Sequence, residues 1–397
     1  MSESALSDVR VIELAADTAG PYAGKMLADY GADVIKIERP GLGDIARRKG
    51  PFPGDIPHPE KSFQFLYLNT NKRSVTLDVY KADGMQVLKR LVKDADILVV
   101  DLIPSELDKL GLTYDALSAT NPKLIMLSIS PFGHTGPYRD MKSTDIVQYA
   151  VSSFMNLSGN PDREPLQHAL GQAGFMAARN GIVATMGALL YRDSTGQGQF
   201  IDVSVVESIA VQPPFQPTQY TYQGVVATRG TEPVLDGAYV PCKGGSYICM
   251  TTTGGAPFSD FAELLGLPQL LDPKFATSEG RTENIAELDE LVSKRLQELD
   301  ALELFHKAQN RRFVFGVCQT PKDILACPQM KAREFFQTVD HPVVGPLQYP
   351  GRPFRIDGTS ARESNPAPLL GQHTHEVLKG LGYDKEALLR LTEMEVI

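Results

Sequence analysis

The sequence predicts an α/β fold built around a mostly parallel sheet. Three observations carry this prediction: short β-rich runs alternate with amphipathic stretches in the first third of the chain, helix-length segments separate the runs, and two runs (96–100 and 124–130) are almost wholly apolar. Near-continuous apolar strands are typical of a sheet that is covered on both faces. Repeated strand–helix–strand units imply right-handed crossovers, so we expect a Rossmann-like domain in this half of the chain.

Each element of the first half follows from its local pattern. The predicted strands share runs of apolar and β-branched residues, and they are 9–14, 33–38, 74–78, 96–100 and 124–130. Helices are predicted near 22–30, after a Gly-Pro pair, and over 81–95. The second helix has an apolar face formed by Met85, Leu88, Leu91 and Val92.

The second half predicts one more helix and strand of this domain and then a change of architecture. An Ala- and Gly-rich stretch predicts a long helix over 171–192, and a strand follows over 199–204. The stretch 213–236 is rich in Pro, Gly, Thr and Gln and predicts a linker. Beyond it we expect a hairpin over 239–250, helices over 258–265 and 286–308, a loop-rich region from 327 to 355 and a helical tail from His375.

Composition excludes several classes of protein. The 397 residues carry a net charge of −9, which is the wrong sign for a general nucleic-acid binder. No apolar run approaches the roughly 18–20 residues of a membrane span, and the first residues show no signal peptide. The cysteines have neither CxxC nor zinc-finger spacing, which predicts reduced thiols in a cytoplasmic protein; they are Cys242, Cys249, Cys318 and Cys327.

Searches for common catalytic motifs give no mechanism. The chain has no GxGxxG after a strand, no P-loop, no HExxH and no GxSxG. His373 and His375 are two residues apart and would point to different sides of a helix, so we expect no metal site there. His134 lies in a Gly/Pro turn, and we interpret it as a turn residue.

Basic residues cluster beside two predicted strands. The clusters are Arg39, Arg47, Arg48 and Lys49 after the second strand, and Lys72 with Arg73 before the third. Loops that border parallel strands commonly bind ligands, and Arg and Lys suit phosphates. The competing interpretation is a solvated surface face, which composition alone favours.

Seven segments together resemble the family III CoA-transferases, the group that includes formyl-CoA transferase and the carnitine CoA-transferases. The first segment reads VRVIELAADTAGPYAGKMLADYGADVIKIERPGLGD over 9–44. The others are 68–78, 96–112, 128–150, 188–208, 327–336 and 368–383. Their order and spacing extend over nearly the whole chain.

The resemblance implies an architecture and a chemistry. It implies a large Rossmann-like domain over 1–212, a smaller α+β domain over 225–325, and a C-terminal segment over 326–397 that returns to the large domain. Two chains would interlock like linked rings. An Asp of the family attacks an acyl-CoA thioester and carries CoA to an acceptor carboxylic acid, with no covalently bound cofactor and no metal.

This chain departs from the family at the nucleophile. The family Asp precedes the motif that here contains Arg192, and counting back by the usual interval reaches Gly174. No Asp or Glu occurs from 166 to 191, so a shift in alignment does not supply a carboxylate. Asp101 and Lys109 also replace residues that surround CoA in the family, and we expect the charge of Asp101 to repel the phosphates of CoA. The stretch 229–237 lacks the family's run of glycines.

These departures favour the subunit without the nucleophile in a heteromeric CoA-transferase. A paralogous subunit would supply the Asp, with succinyl-CoA as a donor and benzylsuccinate, from anaerobic aromatic degradation, as a candidate acceptor. One alternative is a self-sufficient homodimer that uses Asp145, which is otherwise a helix N-terminal acid. Another is a scaffold or regulatory protein of the same fold; an isomerase of this fold is disfavoured because its catalytic His and Asp positions fall near Thr144 and Gly174.

The resemblance also implies residues that contact CoA or the acyl group, and we expect no nucleic acid and no membrane as partners. The implied contact residues are Thr18, Ala19, Gly20, Arg39, Lys72, Arg73, Lys109 and Lys142.

Overall fold

The computed structural model describes residues 4–212, 215–229, 236–251, 256–358 and 364–397. These residues form two compact units. The large unit comprises Met1–Gly159, Arg163–Thr228 and Glu334–Ile397, and the small unit comprises Asn160–Asp162 and Arg229–Arg333. The C-terminal segment from Glu334 is therefore part of the large unit.

A six-stranded parallel sheet forms the centre of the large unit. Its strands are β1 (Arg10–Leu14), β2 (Asp33–Glu38), β3 (Arg73–Thr76), β4 (Ile97–Val100), β5 (Ile125–Ser130) and β6 (Phe200–Ser204). Their order in the sheet is β3-β2-β1-β4-β5-β6. The strand order reverses between β1 and β4. In sheets of this kind a crevice forms at the reversal point, outside the carboxyl ends of the strands, and ligands bind in it. The α/β class with a parallel sheet is confirmed.

Helices cover both faces of this sheet. The helices of the large unit before its C-terminal segment are α1 (Ala19–Asp29), α2 (Phe63–Leu68), α3 (Ala82–Lys93), α4 (Pro104–Leu110), α5 (Tyr114–Ser118), α6 (Asp145–Val151), α7 (Phe154–Leu157), α8 (Gln172–Thr195), α9 (Val205–Ala210) and α10 (Phe215–Gln223). Successive residues of a strand point into two separate hydrophobic cores, one on each face of the sheet. Val11 and Val99 pack with residues of α1 and α8, whereas Ile12 and Leu98 pack with residues of α3 and of the C-terminal helices.

Helix α8 is unusual in its length and composition. Among the described residues it is the one helix long and apolar enough to cross a membrane by those criteria alone. It packs on the sheet, and a Cβ built at Gly181 would lie 3.0 Å from Leu127 of β5. We interpret α8 as a core helix.

The small unit has its own sheet and core. Strands β7 (Asp236–Pro241), β8 (Tyr247–Thr251) and β9 (Val314–Val317) form an antiparallel sheet in that order. Its helices are α11 (Phe258–Leu265), α12 (Ser278–Glu283), α13 (Ile285–Leu296), α14 (Ala301–Asn310), α15 (Pro321–Ala326) and α16 (Pro328–Ala332). Phe261, Phe275 and Phe313 are buried in the core between these elements.

The C-terminal segment completes the large unit. It contains the hairpin β10 (Phe336–His341) and β11 (Gly345–Pro350), followed by α17 (Thr374–Gly380) and α18 (Lys385–Glu393). The backbone amide of His373 donates to the carbonyl of Ser74 beside β3. Short 3-10 helices lie at Ile45–Arg48, Pro53–Asp55, Lys243–Gly245, Pro268–Leu271 and Pro273–Phe275.

Two local predictions are wrong. The single helix predicted over 286–308 is two helices, because Asp300 accepts a hydrogen bond from the amide of Glu303 and caps a new one. The loop-rich region contains the β10–β11 hairpin, whose residues do not follow strict apolar alternation. The boundary between the two units, between Thr228 and Arg229, falls within the predicted linker 213–236. This stretch also contains α10, and part of the stretch 229–237 lies outside the described residues.

Candidate active site at the carboxyl edge of the sheet

The turn between β1 and α1 lies at the point where the strand order reverses. Each of its peptide groups is bound by a side chain from a different part of the large unit. Lys36 Nζ donates to Ala15 O (2.8 Å), Ala16 N donates to Asp101 Oδ2 (2.9 Å), Asp17 N donates to Asp44 Oδ1 (2.9 Å), and Gln64 Nε2 donates to Asp17 O (3.2 Å) and Thr18 Oγ1 (3.0 Å). The conformation of this turn is therefore set by tertiary contacts.

A buried network of charges lies under the turn. Lys36 Nζ is 2.9 Å from Glu13 Oε1 and 2.8 Å from Asp44 Oδ2, and Lys72 Nζ is 2.7 Å from Glu13 Oε2. Burial alone would lower the pKa of Lys36, but the carboxylates of Asp44 and Glu13 raise it, so Lys36 is charged. Burial lowers the pKa of Lys72 to about 8 despite the carboxylate of Glu13. Buried charges need such partners, because an uncompensated one is strongly destabilising.

Gly174, in the first turn of α8, faces the turn between β1 and α1. A Cβ built at Gly174 would lie 3.1 Å from Thr18 Cγ2 and 3.3 Å from Ala19 N. A side chain at position 174 would therefore lie against the start of α1, at the carboxyl edge of the sheet.

Asp145 at the start of α6 caps the same helix. Gly171, the N-cap of α8, has a φ of +64° and no side chain to cap with. Asp145 Oδ1 accepts a hydrogen bond from Ala173 N (3.1 Å), whereas Asp145 Oδ2 is buried without a hydrogen-bond partner among the described residues. Burial raises the pKa of this carboxyl above its ordinary value. The predicted N-terminal acid thus serves the neighbouring helix.

The expected repulsion between Asp101 and CoA is not supported by the position of this residue. The carboxyl group points under the turn and accepts the hydrogen bond from Ala16, and burial raises its pKa to about 8. The raised pKa and the hydrogen bond to Ala16 both reduce the negative charge that Asp101 presents to the crevice. Sequence reasoning treated Asp101 as a surface charge because its partner is 85 residues away in the chain.

The residues predicted to contact CoA divide into three groups. Thr18, Ala19 and Gly20 form the start of α1 beside Gly174. Three exposed cations have no ion-pair partner among the described residues, and they are Arg39, Lys109 and Lys142. Lys72 and Arg73 form the third group, for which the structure corrects the expectation.

Lys72 and Arg73 both have partners within the protein. The ammonium of Lys72 is fully enclosed and also donates to Pro21 O and Asn69 Oδ1. Arg73 begins β3 and pairs with Asp33 at the amino edge of the sheet. Arg73 begins a parallel strand and so lies at the edge opposite the crevice. The Lys72 ammonium instead reaches the network under the turn, where its protein partners enclose it and leave no place for a ligand.

Arg47 was predicted to belong to a basic face, and that interpretation is wrong. Its guanidinium is buried over the ring of Phe65 and pairs with Glu38 (2.7 Å) and Glu60 (2.6 Å). The signal that could have revealed the buried network is the presence of Glu13 and Lys36 within otherwise apolar strand runs.

The two histidines that attracted attention in the sequence have structural partners. His134 Nε2 lies 2.7 Å from Ser128 Oγ, and His373 Nδ1 accepts a hydrogen bond from Ser74 N. In the part of the chain that the structure describes, no group of three or more His, Cys, Asp or Glu side chains could hold a metal ion.

Comparisons with known proteins agree over the whole chain. The profile of CoA-transferase family III matches residues 6–374. Succinyl-CoA–D-citramalate CoA-transferase of Chloroflexus aurantiacus is 32% identical, with 97% of this chain and 96% of that protein covered. Subunit BbsE of the succinyl-CoA:(R)-benzylsuccinate CoA-transferase of Thauera aromatica is 31% identical, with 98% of each covered. The crystal structure of a CAIB/BAIF family protein from Brucella suis has a TM-score of 0.86 and 31% identity, with 96% of this chain and 100% of that chain covered.

Proposed function

The chain belongs to CoA-transferase family III, and we propose that it is the subunit without the nucleophile in a two-subunit enzyme of this family. A paralogous partner would carry the Asp and move CoA from a donor such as succinyl-CoA to a carboxylic acid such as benzylsuccinate. The observation that carries the proposal is Gly174: the expected position of the family Asp faces the Thr18–Ala19 turn and has no side chain.

The chemistry requires a carboxylate at that place. The partner's Asp attacks the acyl carbon of the donor thioester, which forms a mixed anhydride and releases the CoA thiolate. The thiolate then attacks the aspartyl carbon, which releases the donor acid and leaves an aspartyl-CoA thioester. The acceptor carboxylate repeats the two steps in reverse and restores the free Asp. Residues 166–191 contain no Asp or Glu, so this helix offers no carboxylate that could form the mixed anhydride or the CoA thioester.

Two further observations support a second family III chain as the partner. The similarity to a protein named as a subunit, BbsE, supports a heteromeric assembly. Helix α8 also leaves large apolar side chains uncovered: Val183 is 74% exposed and Leu190 is 73% exposed. Exposed apolar patches of this kind mark interaction sites, which fits two interlocked chains in the cytoplasm.

This chain would contribute binding and positioning to the complex. Arg39, Lys109 and Lys142 are free cations that suit phosphate oxygens. The turn before α1 would contact the acyl group, with its backbone held by the buried network.

The experiment is native mass spectrometry and transferase assay of this chain alone and of this chain co-expressed with an Asp-bearing paralogue. We expect a stable complex that transfers CoA from succinyl-CoA and an inactive lone chain. A lone chain that turns over would overturn the proposal. A complex that forms with no activity on a panel of dicarboxylates would instead favour a scaffold.

Asp145 supports a second candidate, a self-sufficient CoA-transferase. Its Oδ2 is without a hydrogen-bond partner, next to the first turn of α8. In that case Asp145→Asn in the lone chain would abolish both transfer and the trapping of an acyl-enzyme by hydroxylamine. Retention of either activity excludes this nucleophile.

A further inference from the structure

We propose that Cys249 and Cys318 form a redox-active dithiol on the outer face of the small unit's sheet. Their sulfur atoms lie 3.6 Å apart, although the two residues are 69 positions apart in the chain. Both are free thiols. The site would take a small disulfide oxidant, such as oxidised glutathione, and close to an intramolecular disulfide.

The register of two antiparallel strands places the thiols together. In β8 the neighbours Ile248 and Met250 are buried, so Cys249 points to the opposite, outer face. Cys249 lies opposite Gly316 of β9, which has no side chain. Cys318 follows the last residue of β9 and its amide donates to Tyr247 O, so it lies diagonally from Cys249 on the same face.

The end of β9 makes closure feasible. A disulfide needs a separation of about 2.05 Å between the sulfurs, so they must approach from van der Waals contact. Cys318 follows the last residue of β9 and is exposed, so its side chain can rotate toward Cys249 while its amide keeps the hydrogen bond to Tyr247 O. The bond would tie β8 to the segment that leads into α15.

The exchange balances with oxidised glutathione as the oxidant. The thiolate of Cys318 attacks one sulfur of glutathione disulfide, forms a mixed disulfide and releases one glutathione thiolate. The thiolate of Cys249 then attacks the Cys318 sulfur and releases the second glutathione. Two protein thiols lose their protons and two electrons, and one disulfide is reduced to two thiols.

The two cysteines have different roles in this exchange reaction. Cys318 is exposed and meets the oxidant first. Cys249 is half-buried, and burial together with the neighbouring Cys318 thiol raises its pKa to about 11. Because the Cys249 sulfur is less accessible and lies 3.6 Å from the Cys318 sulfur, Cys249 acts as the resolving thiol once Cys318 carries glutathione.

The test uses the full chain with Cys327→Ser, because Cys327 is partly exposed and could accept glutathione by itself. This variant has three thiols. We expect incubation with oxidised glutathione to reduce the number titrated with Ellman's reagent after denaturation from three to one. The intact mass should fall by two hydrogens without an adduct, a Cys249–Cys318 cross-linked peptide should appear, and dithiothreitol should restore three thiols.

Adding Cys318→Ser to this variant provides the control. The double variant should keep two thiols or gain a glutathione adduct on Cys249, with no intramolecular cross-link. Adding Cys249→Ser instead should leave a stable glutathione adduct on Cys318. A Cys327→Ser protein that only acquires adducts, or that keeps all three thiols under oxidised glutathione, would overturn the proposal.

Discussion

Gly174 faces Thr18 so closely that a Cβ at position 174 would lie 3.1 Å from Thr18 Cγ2. This relationship joins the first turn of α8 to the turn that follows β1. It places the position expected for the family nucleophile at the carboxyl edge of the sheet, where the strand order reverses.

The first prediction restores a carboxylate at this place. Gly174→Asp in the lone chain should form a CoA thioester when incubated with succinyl-CoA, detected as a mass adduct that hydroxylamine removes. Gly187→Asp is the matched control, because a Cβ there meets nothing within 4 Å on the same helix. Because the Cβ at 174 needs a small movement of Thr18, Gly174→Asp with Thr18→Ser is a second variant. Folded variants of both kinds without an adduct would contradict the assignment of position 174.

The second prediction concerns the pH dependence of stability. Burial raises the pKa of Asp101 from 3.8 to about 8, so the folded state keeps a proton that the unfolded chain releases. The free energy of unfolding should therefore fall as pH rises from about 4 to about 8, by at most about 1.4 kcal/mol per pH unit. Asp101→Asn should remove this slope, measured by chemical denaturation at several pH values. Asp55→Asn, at the end of a short exposed 3-10 helix, should keep this slope. Parallel curves of unfolding free energy against pH for Asp101→Asn and the parent would show that Asp101 is ionised in the folded protein.

The third prediction separates buried from exposed ion pairs. Lys36→Met leaves the buried carboxylate of Asp44 without its cation and Glu13 with Lys72 alone, and it should cost about 3–5 kcal/mol of unfolding free energy. Lys49→Met removes a pair with Asp17 in which both side chains are more than 40% exposed, and should cost less than about 1 kcal/mol. Denaturation followed by circular dichroism compares the two. Equal losses of unfolding free energy in the two variants would mean that the buried network does not stabilise the turn.

The fourth prediction distinguishes cations at the two edges of the sheet. Arg39 is exposed after β2 at the carboxyl edge, whereas Arg73 pairs with Asp33 at the amino edge. Arg39→Gln should weaken CoA binding to the assembled complex about threefold to tenfold, a change of roughly 1 kcal/mol. Arg73→Gln should leave it unchanged. Isothermal titration with CoA measures both, and the reverse order of effects would move the site away from the carboxyl edge.

Much of the fold could be predicted from local patterns. The strand predicted over 33–38 and the helix predicted over 258–265 have the observed bounds, because their apolar periodicity is uninterrupted. The helix prediction over 286–308 failed because apolar periodicity continues across a break that the cap at Asp300 creates. Local patterns therefore identified the elements better than their ends.

The site was predicted less completely. The sequence identified the turn at Thr18 and the glycine at position 174, but it did not show that they face each other. It placed Arg47 and Lys72 in basic clusters and took Asp101 as a charge that repels CoA, although each side chain has a partner within the protein.

By itself, the sequence determined the α/β order of elements, the family and the absence of a carboxylate from 166 to 191, because each is a property of residue order. Only the tertiary structure decided which charges are paired under the turn and which thiols meet across β8 and β9. The physical reason is that ionisation depends on nearby charges and on burial, and thiol exchange depends on the distance between sulfur atoms. Residues far apart in the chain, such as Ala16 with Asp101 and Cys249 with Cys318, come together only when the sheets form.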